Sequence, residues 1–257
     1  MGYFSGKRVF ITGASSGIGE GLAKRLANEG ASIGIAARRV EELERIRESI
    51  EKSGGRCSVY KTDVSDLESL RSAAKEFSEC FGGADILIAN AGIGGNNEAT
   101  RSLEPEAVKN VIDVNLIGAV NTVGAFLPIM KRQNSGQICA VSSLAGVRGL
   151  PRSGAYCASK AGMTAFFESL RFDAKEFGID VTIIKPGFIK TPLTAGRDAN
   201  MPFLMELDDA VGIALKHIER RKPYSYFPWQ LATIVRLGRF FPVWLYDRIA
   251  GGRQFRE

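Results

Sequence analysis

Near its start the chain reads KRVFITGASSGIG, from Lys7 to Gly19. Residues 7–12 are rich in β-branched and aromatic side chains, which is typical of a strand. Residues 20–27 carry apolar side chains at helical spacing, and Gly30 follows as a stop signal. A strand, a glycine turn and a helix together favour phosphate binding, because glycines allow close backbone approach and a helix N-terminus offers free N–H groups. The spacing is G-x-x-x-G-x-G, and a tight turn without a ligand is the alternative interpretation.

Two arginines follow the second predicted strand, Ala31 to Ala37. In a dinucleotide-binding unit, an acid that binds the ribose 2′-hydroxyl is expected about 20 residues past the glycines. Here Arg38 and Arg39 stand at that place, and guanidinium groups favour a 2′-phosphate. The pattern therefore predicts NADP(H), although two solvated arginines opening the next helix, Glu41 to Lys52, would give the same sequence.

Strands and helices alternate through the first 190 residues without a linker, a repeat or a low-complexity stretch. The further strands are predicted at Cys57–Thr62, Asp85–Ala89, Gln137–Val141 and Ile179–Lys185. Asp63 follows the third strand, where it could meet an adenine edge or cap the next turn, and Asp66 is a good N-cap for the helix through Cys80. This alternation predicts one α/β domain with a doubly wound, Rossmann-like parallel sheet.

Candidate catalytic side chains follow the strand that ends at Val141. Tyr156 and Lys160 are four residues apart in a run, Gly154 to Phe177, that reads as a helix, so they share one face. A phenol beside an ammonium is a possible proton donor with a stabilised phenolate. Ser143 stands where a parallel sheet presents its ligands and could hold a carbonyl oxygen. A Tyr-x-x-x-Lys pair also occurs by chance on helices, so the rest of the chain has to support the interpretation.

Taken together, these motifs resemble the single-domain short-chain dehydrogenases/reductases of the Tyr-x-x-x-Lys type. The matching elements are the glycine turn from Thr12 to Gly19, Asn90-Ala91-Gly92, Asn115, Ser143 thirteen residues before Tyr156, Lys160, and Pro186-Gly187 with Thr191. They appear in the family's order over residues 7–192. One small departure is Ala89, where the family often has a second Asn.

The resemblance implies roles for these residues. Tyr156 would act as the general acid in reduction and the base in oxidation, and Lys160 would stabilise its phenolate and bind the nicotinamide ribose. Ser143 would orient the substrate oxygen, and Asn115 would hold a water in the proton relay. The predicted cofactor-binding residues are Gly13, Ser15, Ser16, Gly17, Ile18, Gly19, Arg38, Arg39, Asp63, Val64, Asn90, Ala91, Gly92, Tyr156, Lys160, Pro186, Gly187, Ile189 and Thr191.

Composition excludes several classes of function. The chain has 257 residues, of which 45% are hydrophobic and 24% charged, as in an ordinary globular protein. A single histidine, His217, makes a Ser-His-Asp triad or a His-rich metal site implausible. We expect four reduced core thiols (Cys57, Cys80, Cys139, Cys157), no metal, no signal peptide, no apolar run long enough to span a bilayer, and a cytoplasmic location.

The net charge of +6 is uneven along the chain. From Leu215 onward there are nine Lys/Arg and three Asp/Glu, so the preceding residues are neutral. Since the residues before Leu215 carry no net positive charge, no nucleic-acid partner is expected. The basic excess coincides with residues 228–257, a predicted amphipathic helical extension of the catalytic domain, 1–227. It reads as two short helices broken at Pro242 with interleaved aromatics and arginines.

Two interpretations of this extension stay open: an interfacial membrane surface, or an apolar side that covers the domain or a partner subunit of a homodimer. The predicted substrate loop, residues 188–206, is apolar as well, and Phe188, Leu193 and Phe203 are candidate substrate contacts, unless they only cover the core. The sequence thus predicts NADP(H)-dependent interconversion of a carbonyl and an alcohol on a lipophilic small molecule. The alternative is a catalytically idle NADP(H)-binding sensor or scaffold.

Overall fold

A seven-stranded parallel sheet forms the centre of the computed structural model, which describes residues 2–94, 103–195 and 201–251. The strands are β1 (Arg8–Thr12), β2 (Ser32–Ala37), β3 (Arg56–Lys61), β4 (Ile86–Ala89), β5 (Gly136–Val141), β6 (Ile179–Pro186) and β7 (Tyr224–Phe227). Their spatial order is β3-β2-β1-β4-β5-β6-β7. The predicted doubly wound parallel α/β fold is confirmed.

Helices connect and cover the strands. They are α1 (Gly17–Asn28), α2 (Val40–Lys52), α3 (Leu67–Phe81), α4 (Pro105–Ile112), α5 (Gly118–Gln133), α6 (Gly154–Ala174), α7 (Leu207–Glu219), α8 (Trp229–Gly238) and α9 (Val243–Ala250). A π-helical segment, Asp113–Ile117, joins α4 to α5, and short 3₁₀ turns follow β5 (Leu144–Gly146) and α6 (Lys175–Phe177).

Both faces of the sheet are buried, which explains the nearly continuous apolar strands. Alternate residues of β1 serve the two sides: Val9 and Ile11 pack with α1, α2 and α7, whereas Phe10 packs with α3, α5 and α6. On the second side Phe10, Phe77 and Phe126 form an aromatic cluster with ring centroids 4.4–6.0 Å apart.

The strand order reverses direction between β1 and β4, which pair from Val9↔Ile86 to Ile11↔Ile88. β2 and β3 lie to one side of β1, and β5, β6 and β7 lie beyond β4. The connections leave in opposite directions at this point, so a crevice opens at the carboxyl ends of the two strands. The fold therefore places the candidate site beyond Thr12 and Ala89.

Local signals in the sequence are largely confirmed. Asp66 caps α3, and its carboxylate accepts hydrogen bonds from the backbone N–H groups of Glu68 at 3.0 Å and Ser69 at 3.2 Å. Helices flank Pro242 as predicted. The π-helical segment was not predicted, because an extra residue per turn leaves no mark in the apolar spacing.

One expectation about membrane crossing is wrong. Pro105–Gln133 forms one continuous helical stretch of 29 residues, and an 18-residue window of it reaches a mean hydropathy of 1.5, long and apolar enough to span a bilayer. That window is 44% buried inside the protein, and Val123, Phe126 and Met130 pack into the core beneath the sheet. Packing against the sheet thus accounts for the buried part of this stretch.

The prediction of four core thiols is also wrong in one case. Cys57, Cys139 and Cys157 are buried, but Cys80 is exposed near the end of α3. Burial raises the pKa of the Cys57 thiol to about 12. Cys80 lies beside the edge strand β3, where its sulfur is 4.0 Å from the Ser58 hydroxyl and still reaches solvent.

The aromatic cluster leaves no room at Gly34 in β2. A Cβ at this position would lie 2.6 Å from Phe77 and 2.7 Å from Phe10. We expect Gly34→Ala to lower the free energy of unfolding by about 1–3 kcal/mol through overpacking. In Gly124→Ala, the matched control, the nearest neighbour is Leu67 at 4.0 Å, and helix propensity should raise stability by up to about 1 kcal/mol. Urea unfolding measures both, and equal effects of the two substitutions would contradict this packing.

Candidate active site

The crevice between β1 and β4 is shaped by Asn90, the first residue after β4. Its Nδ2 donates to the carbonyl oxygens of Thr12 and Gly13, both at 3.0 Å, and its backbone N–H donates to Thr12 Oγ1 at 3.2 Å. A Cβ on Gly13 would lie 2.5 Å from Ala91 Cα, and one on Gly19 would lie 2.5 Å from Asn90 Nδ2. The glycine turn is therefore required by its own neighbours as well as by any ligand.

The N-terminus of α1 faces this turn without a side-chain cap. Ser16 occupies the N-cap position in an extended conformation, and its side chain makes no capping hydrogen bond. The first N–H groups of α1 and the positive end of its dipole are therefore not neutralised by the N-cap side chain. Arg39 reaches over the turn, and its Nη2 donates to Ser15 Oγ at 2.9 Å and Ser16 Oγ at 3.1 Å. This combination can receive a phosphate.

Arg38 and Asp63 lie beside each other at the ends of β2 and β3. Their charged groups are 3.8 Å apart and both side chains are well exposed. Asp63 accepts hydrogen bonds from the Ser65 hydroxyl at 2.7 Å and the Ser65 backbone at 2.9 Å. These bonds lower the pKa of Asp63, and the Arg38 guanidinium adds to the effect. Asp63 thus caps its turn, and Val64 beside it is buried.

Asn115 is fully buried in the π-helical segment. Its Oδ1 accepts from the backbone N–H of Ile93 at 2.8 Å, and its Nδ2 donates to the Ile93 carbonyl and to Ser159 Oγ, both at 3.0 Å. Ser159 in turn donates to the Tyr156 carbonyl at 2.8 Å. A buried helical Asn needs partners, and these bonds tie the segment after β4 to the helix that carries Tyr156.

Lys160 lies at the bottom of the site with only 4% of its surface exposed. Its Nζ donates to the Val141 carbonyl at 2.8 Å, and it stands 5.9 Å from the centroid of the Tyr156 ring. A Cβ on Gly92 would lie 3.4 Å from the same nitrogen. Burial lowers the pKa of the Lys160 ammonium to about 8, so most of it is protonated at neutral pH.

Ser143 is the N-cap of the 3₁₀ turn after β5 and is nearly buried. Its Oγ accepts from the Ala145 backbone at 3.1 Å and makes a contact of 3.5 Å with the Pro186 carbonyl. The latter is at the limit of a hydrogen bond. The hydroxyl proton of Ser143 therefore remains suited to a better acceptor.

The segment after β6 closes the site from the other side. Gly187 donates to the Phe227 carbonyl at 2.7 Å, and Thr191 approaches Gly17, whose added Cβ would meet the Thr191 methyl at 3.3 Å. Ile189 is buried and forms a parallel bridge with Met205. The two ends of the predicted substrate loop are thus joined, while residues 196–200 of this loop lie outside the described part of the chain.

The three predicted substrate residues have different surroundings. Phe188 is half-buried and packs on the small cluster of Leu144, Leu231 and Ala232. Leu193 and Phe203 are both 45% exposed. Apolar side chains therefore border the site at the end of β6.

The described structure brings the predicted catalytic side chains to one edge of the sheet, at the ends of β4, β5 and β6. Sequence reasoning missed three polar residues that hold them: Thr12, Ser159 and Ser142. Ser142 donates to the Lys160 carbonyl at 3.0 Å. Each lies next to a residue that was predicted, so adjacency to a motif at a strand end or helix turn was the available signal.

A family model described as short chain dehydrogenase matches residues 7–202. The chain belongs to this family and is an oxidoreductase, which confirms the resemblance seen in its motifs.

Two relatives span nearly its whole length. An uncharacterized oxidoreductase of Myxococcus xanthus is 41% identical over 250 residues, covering 97% of this chain and 98% of the relative. One from Mycobacterium tuberculosis is 33% identical over 252 residues, covering 95% and 97%. The crystal structure of a short chain dehydrogenase/reductase from Burkholderia phymatum in complex with NAD has a TM-score of 0.85 at 26% identity, covering 92% of this chain and 94% of that one.

The buried ammonium of Lys160 should leave a signature in the pH dependence of stability. Its pKa of about 8 in the folded chain lies below the ordinary value of 10.5, so between these pH values the unfolded chain binds the extra proton and wild-type stability rises with pH. Lys160→Met lacks this titrating group, so its stability does not share the rise. The difference in unfolding free energy between the variant and wild type should therefore grow by up to about 3 kcal/mol as the pH rises from about 8 to 10.5, to the disadvantage of the variant. Urea titrations at several pH values test this, with exposed Lys52→Met as control. A constant difference for Lys160→Met would contradict the burial of a cation.

Proposed function

We propose that this oxidoreductase uses NADP(H) to interconvert a carbonyl and a primary or secondary alcohol on a lipophilic small molecule. The observation that carries the proposal is the pair of Tyr156 and Lys160 on one helical turn, with the Lys160 ammonium buried against the end of β5. Ser143 stands two residues beyond the carbonyl that Lys160 binds. A phenol, a cation and a hydroxyl at one strand end are the groups that carbonyl protonation needs.

The residues at the β1–β4 crevice fit a nicotinamide dinucleotide. Gly13, Gly17 and Gly19 leave a cradle beside the uncapped N-terminus of α1, where a pyrophosphate is stabilised. Arg38 and Arg39 stand where the second strand ends and supply guanidinium groups for a 2′-phosphate. The structural relative from Burkholderia phymatum was crystallised with NAD; the two arginines here favour NADP(H) instead.

When bound, the cofactor supplies or accepts a hydride at its nicotinamide ring. In the reductive direction the Tyr156 phenol donates its proton to the substrate oxygen, and in oxidation the phenolate takes it back. The Lys160 ammonium stabilises this phenolate, since an opposite charge within roughly 4–6 Å favours the ionised form. Ser143 donates its hydroxyl proton to the same substrate oxygen, because its contact with Pro186 is long.

Asn115 acts as a positioning residue in this scheme. Through Ile93 and Ser159 it fixes the wall after β4 relative to the helix of Tyr156. Such placement keeps reacting groups within the tolerance that catalysis requires. The apolar border formed by Phe188, Leu193 and Phe203 suits a lipophilic substrate.

The idle sensor or scaffold is not favoured. Burying an ammonium such as Lys160 costs stability whether or not the charge is used, and a scaffold would gain nothing from this cost or from Ser143, Tyr156 and Asn115 together with it. A screen that follows NADPH consumption with steroid, retinoid, fatty-aldehyde and 3-oxoacyl carbonyls tests the proposal. Turnover of one class supports it, and tight NADPH binding without turnover of any class would favour the scaffold.

Tyr156→Phe should lower kcat by roughly 10²–10⁴-fold, since general acid catalysis contributes this much. Affinity for NADPH should change little because the ring and the neighbouring ammonium remain. Tyr3→Phe, at the opposite end of the sheet beside Gln137, is the matched control and should keep full activity. Stopped-flow turnover and fluorescence titration of NADPH measure both quantities. Near-wild-type kcat in the Tyr156 variant would refute the assignment.

Arg38→Ala should weaken NADPH far more than NADH. A charged hydrogen bond contributes about 1.5–3 kcal/mol, or roughly 10- to 150-fold in affinity, and only NADPH offers the 2′-phosphate. The ion pair of Arg38 with Asp63 is long and exposed, so little fold stability depends on it. Kd values for both cofactors, with Arg39→Ala measured in parallel, check this. Equal losses for NADPH and NADH would remove Arg38 as the specificity determinant.

A further inference from the structure

The helices α8 and α9 expose a band of large apolar side chains, which we call the aromatic face. Its members are Trp229, Ile234, Leu237, Phe240, Phe241, Val243, Trp244 and Ile249. These are eight of the fourteen exposed large apolar side chains in the described residues, although the helices form a small part of the chain. Phe240 is 81% exposed and Trp244 70%. Single exposed apolar residues are ordinary, but so many within one short stretch of chain indicate an interaction surface.

The exposure does not come from poorly docked helices. The inner side of α8 is packed, with Leu231 and Ala232 buried against Leu144. The turn between the helices is held by Arg148, which donates to the carbonyl oxygens of Gly238 at 2.9 Å and Phe241 at 3.0 Å. The aromatic face is therefore the outer side of a fixed element.

Cations border this face. The Arg236 guanidinium lies 5.0 Å from the Tyr226 ring centroid. Lys185 is only 5% exposed, and the positive charges of Arg236 and Arg239 repel its ammonium group. Burial lowers the pKa of the Lys185 ammonium; Glu168 opposes this, and the two arginines add to it. Within residues 2–94, 103–195 and 201–251, none of these three cations forms an ion pair.

Within the described residues, Glu168 is the carboxylate that acts on Lys185 and offsets part of its charge. Glu168 accepts a hydrogen bond from the Tyr224 hydroxyl at 2.7 Å. Glu168 keeps its charge in this bond, whereas Arg236 and Arg239 form no ion pair in the described part of the chain, so an external anion can stabilise these two guanidinium groups. Exposed aromatics next to unpaired guanidiniums are the composition of a helix that lies in a membrane interface.

We propose that the aromatic face binds the surface of an anionic phospholipid membrane, with Phe240 and Trp244 entering the interface and Arg236 and Arg239 meeting lipid phosphates. The proposal concerns binding alone and is independent of the reaction proposed above.

Charge distinguishes a bilayer from a second copy of the chain. A two-fold symmetric contact would set this face against itself. Arg236, Arg239 and Arg248 of both copies would then lie in one interface, and Asp247 is the only carboxylate that the sequence of α8 and α9 offers against them. The whole net charge of +6 resides from Leu215 onward, which favours an anionic partner and disfavours self-association.

The face is also fixed to the catalytic edge. Arg148 stacks on Tyr246 at 3.7 Å, and the Tyr246 hydroxyl donates to the Gly149 carbonyl at 2.6 Å. Both partners lie in the segment between Ser143 and Tyr156. A bound membrane would thus lie next to the substrate entrance, a consequence that rests on the proposed function.

Vesicle flotation with the full chain tests the proposal. We expect binding to vesicles of equal parts phosphatidylcholine and phosphatidylglycerol at about 0.01 M salt, with loss at about 1 M, because screening shortens the Debye length from roughly 30 Å to roughly 3 Å. Pure phosphatidylcholine should bind weakly. Arg236→Gln with Arg239→Gln should lower affinity roughly 30-fold, and Phe240→Ser with Trp244→Ser more than roughly tenfold.

Matched controls separate a specific face from general surface effects. Phe172→Ser removes a phenyl ring that is 72% exposed on α6, and Arg132→Gln with Lys52→Gln removes two exposed charges elsewhere; both should bind like wild type. NADPH turnover of a water-soluble carbonyl should be the same in all variants, so failure of the membrane proposal is distinguishable from failure of the reaction.

Three outcomes would overturn it. The first is no flotation with anionic vesicles at low salt. The second is light scattering that shows the Phe240/Trp244 variant dissociating an oligomer without any lipid binding, which would assign the face to a subunit contact. The third is displacement from vesicles by inorganic phosphate at the concentration of lipid phosphate, which would indicate a soluble anion instead.

Discussion

The active-site edge depends on one amide. Asn90 Nδ2 bridges the carbonyl oxygens of Thr12 and Gly13, and so fixes β1 relative to β4 at the point where the sheet changes direction. These two hydrogen bonds satisfy two backbone carbonyl oxygens at the crevice. Because Asn90 fills the space beside the turn, Gly19 cannot carry a side chain. Packing inside the protein therefore already requires these glycines, and the open space beside the turn is a consequence of that packing.

The alternation of apolar runs, helical spacing and glycine turns in the sequence was enough to predict a parallel sheet. Strands buried on both faces must be apolar, and glycines must stand at the turns. The same reasoning placed Ser143, Tyr156 and Lys160 at one edge, since strand ends and helical spacing fix direction. It failed where tertiary contacts decide. The π-helical segment around Asn115 leaves no periodic mark, and the partners of this residue, Ile93 and Ser159, depend on how distant segments meet. The apolar stretch ending at Gln133 was overlooked: it has the length and hydropathy of a membrane span, while several of its side chains pack into the core.

Two buried lysines at neighbouring strand ends show how the fold treats charge differently in two places. Lys160 is enclosed and donates to Val141, so its charge is held for the groups that line the crevice. Lys185 is nearly as buried, and Tyr226, Glu168 and two arginines act on it. In a medium of low dielectric constant a buried cation is costly. The first cost fits the phenolate of the proposed reaction, whereas the second is partly offset by Glu168.

The C-terminal helices pack against the segment that follows β5. Leu144, which follows Ser143 directly, packs against Leu231 of α8, and Arg148 binds the turn before α9. The apolar wall beside the Ser143 hydroxyl is thus built jointly by Leu144, inside the part of the chain that matches the family model, 7–202, and by Leu231 beyond it. In the proposed function, all the proton-transfer groups belong to the matched part, whereas the apolar border combines Phe188 of that part with α8. A substitution in α8 would therefore alter the apolar border without removing a proton-transfer group.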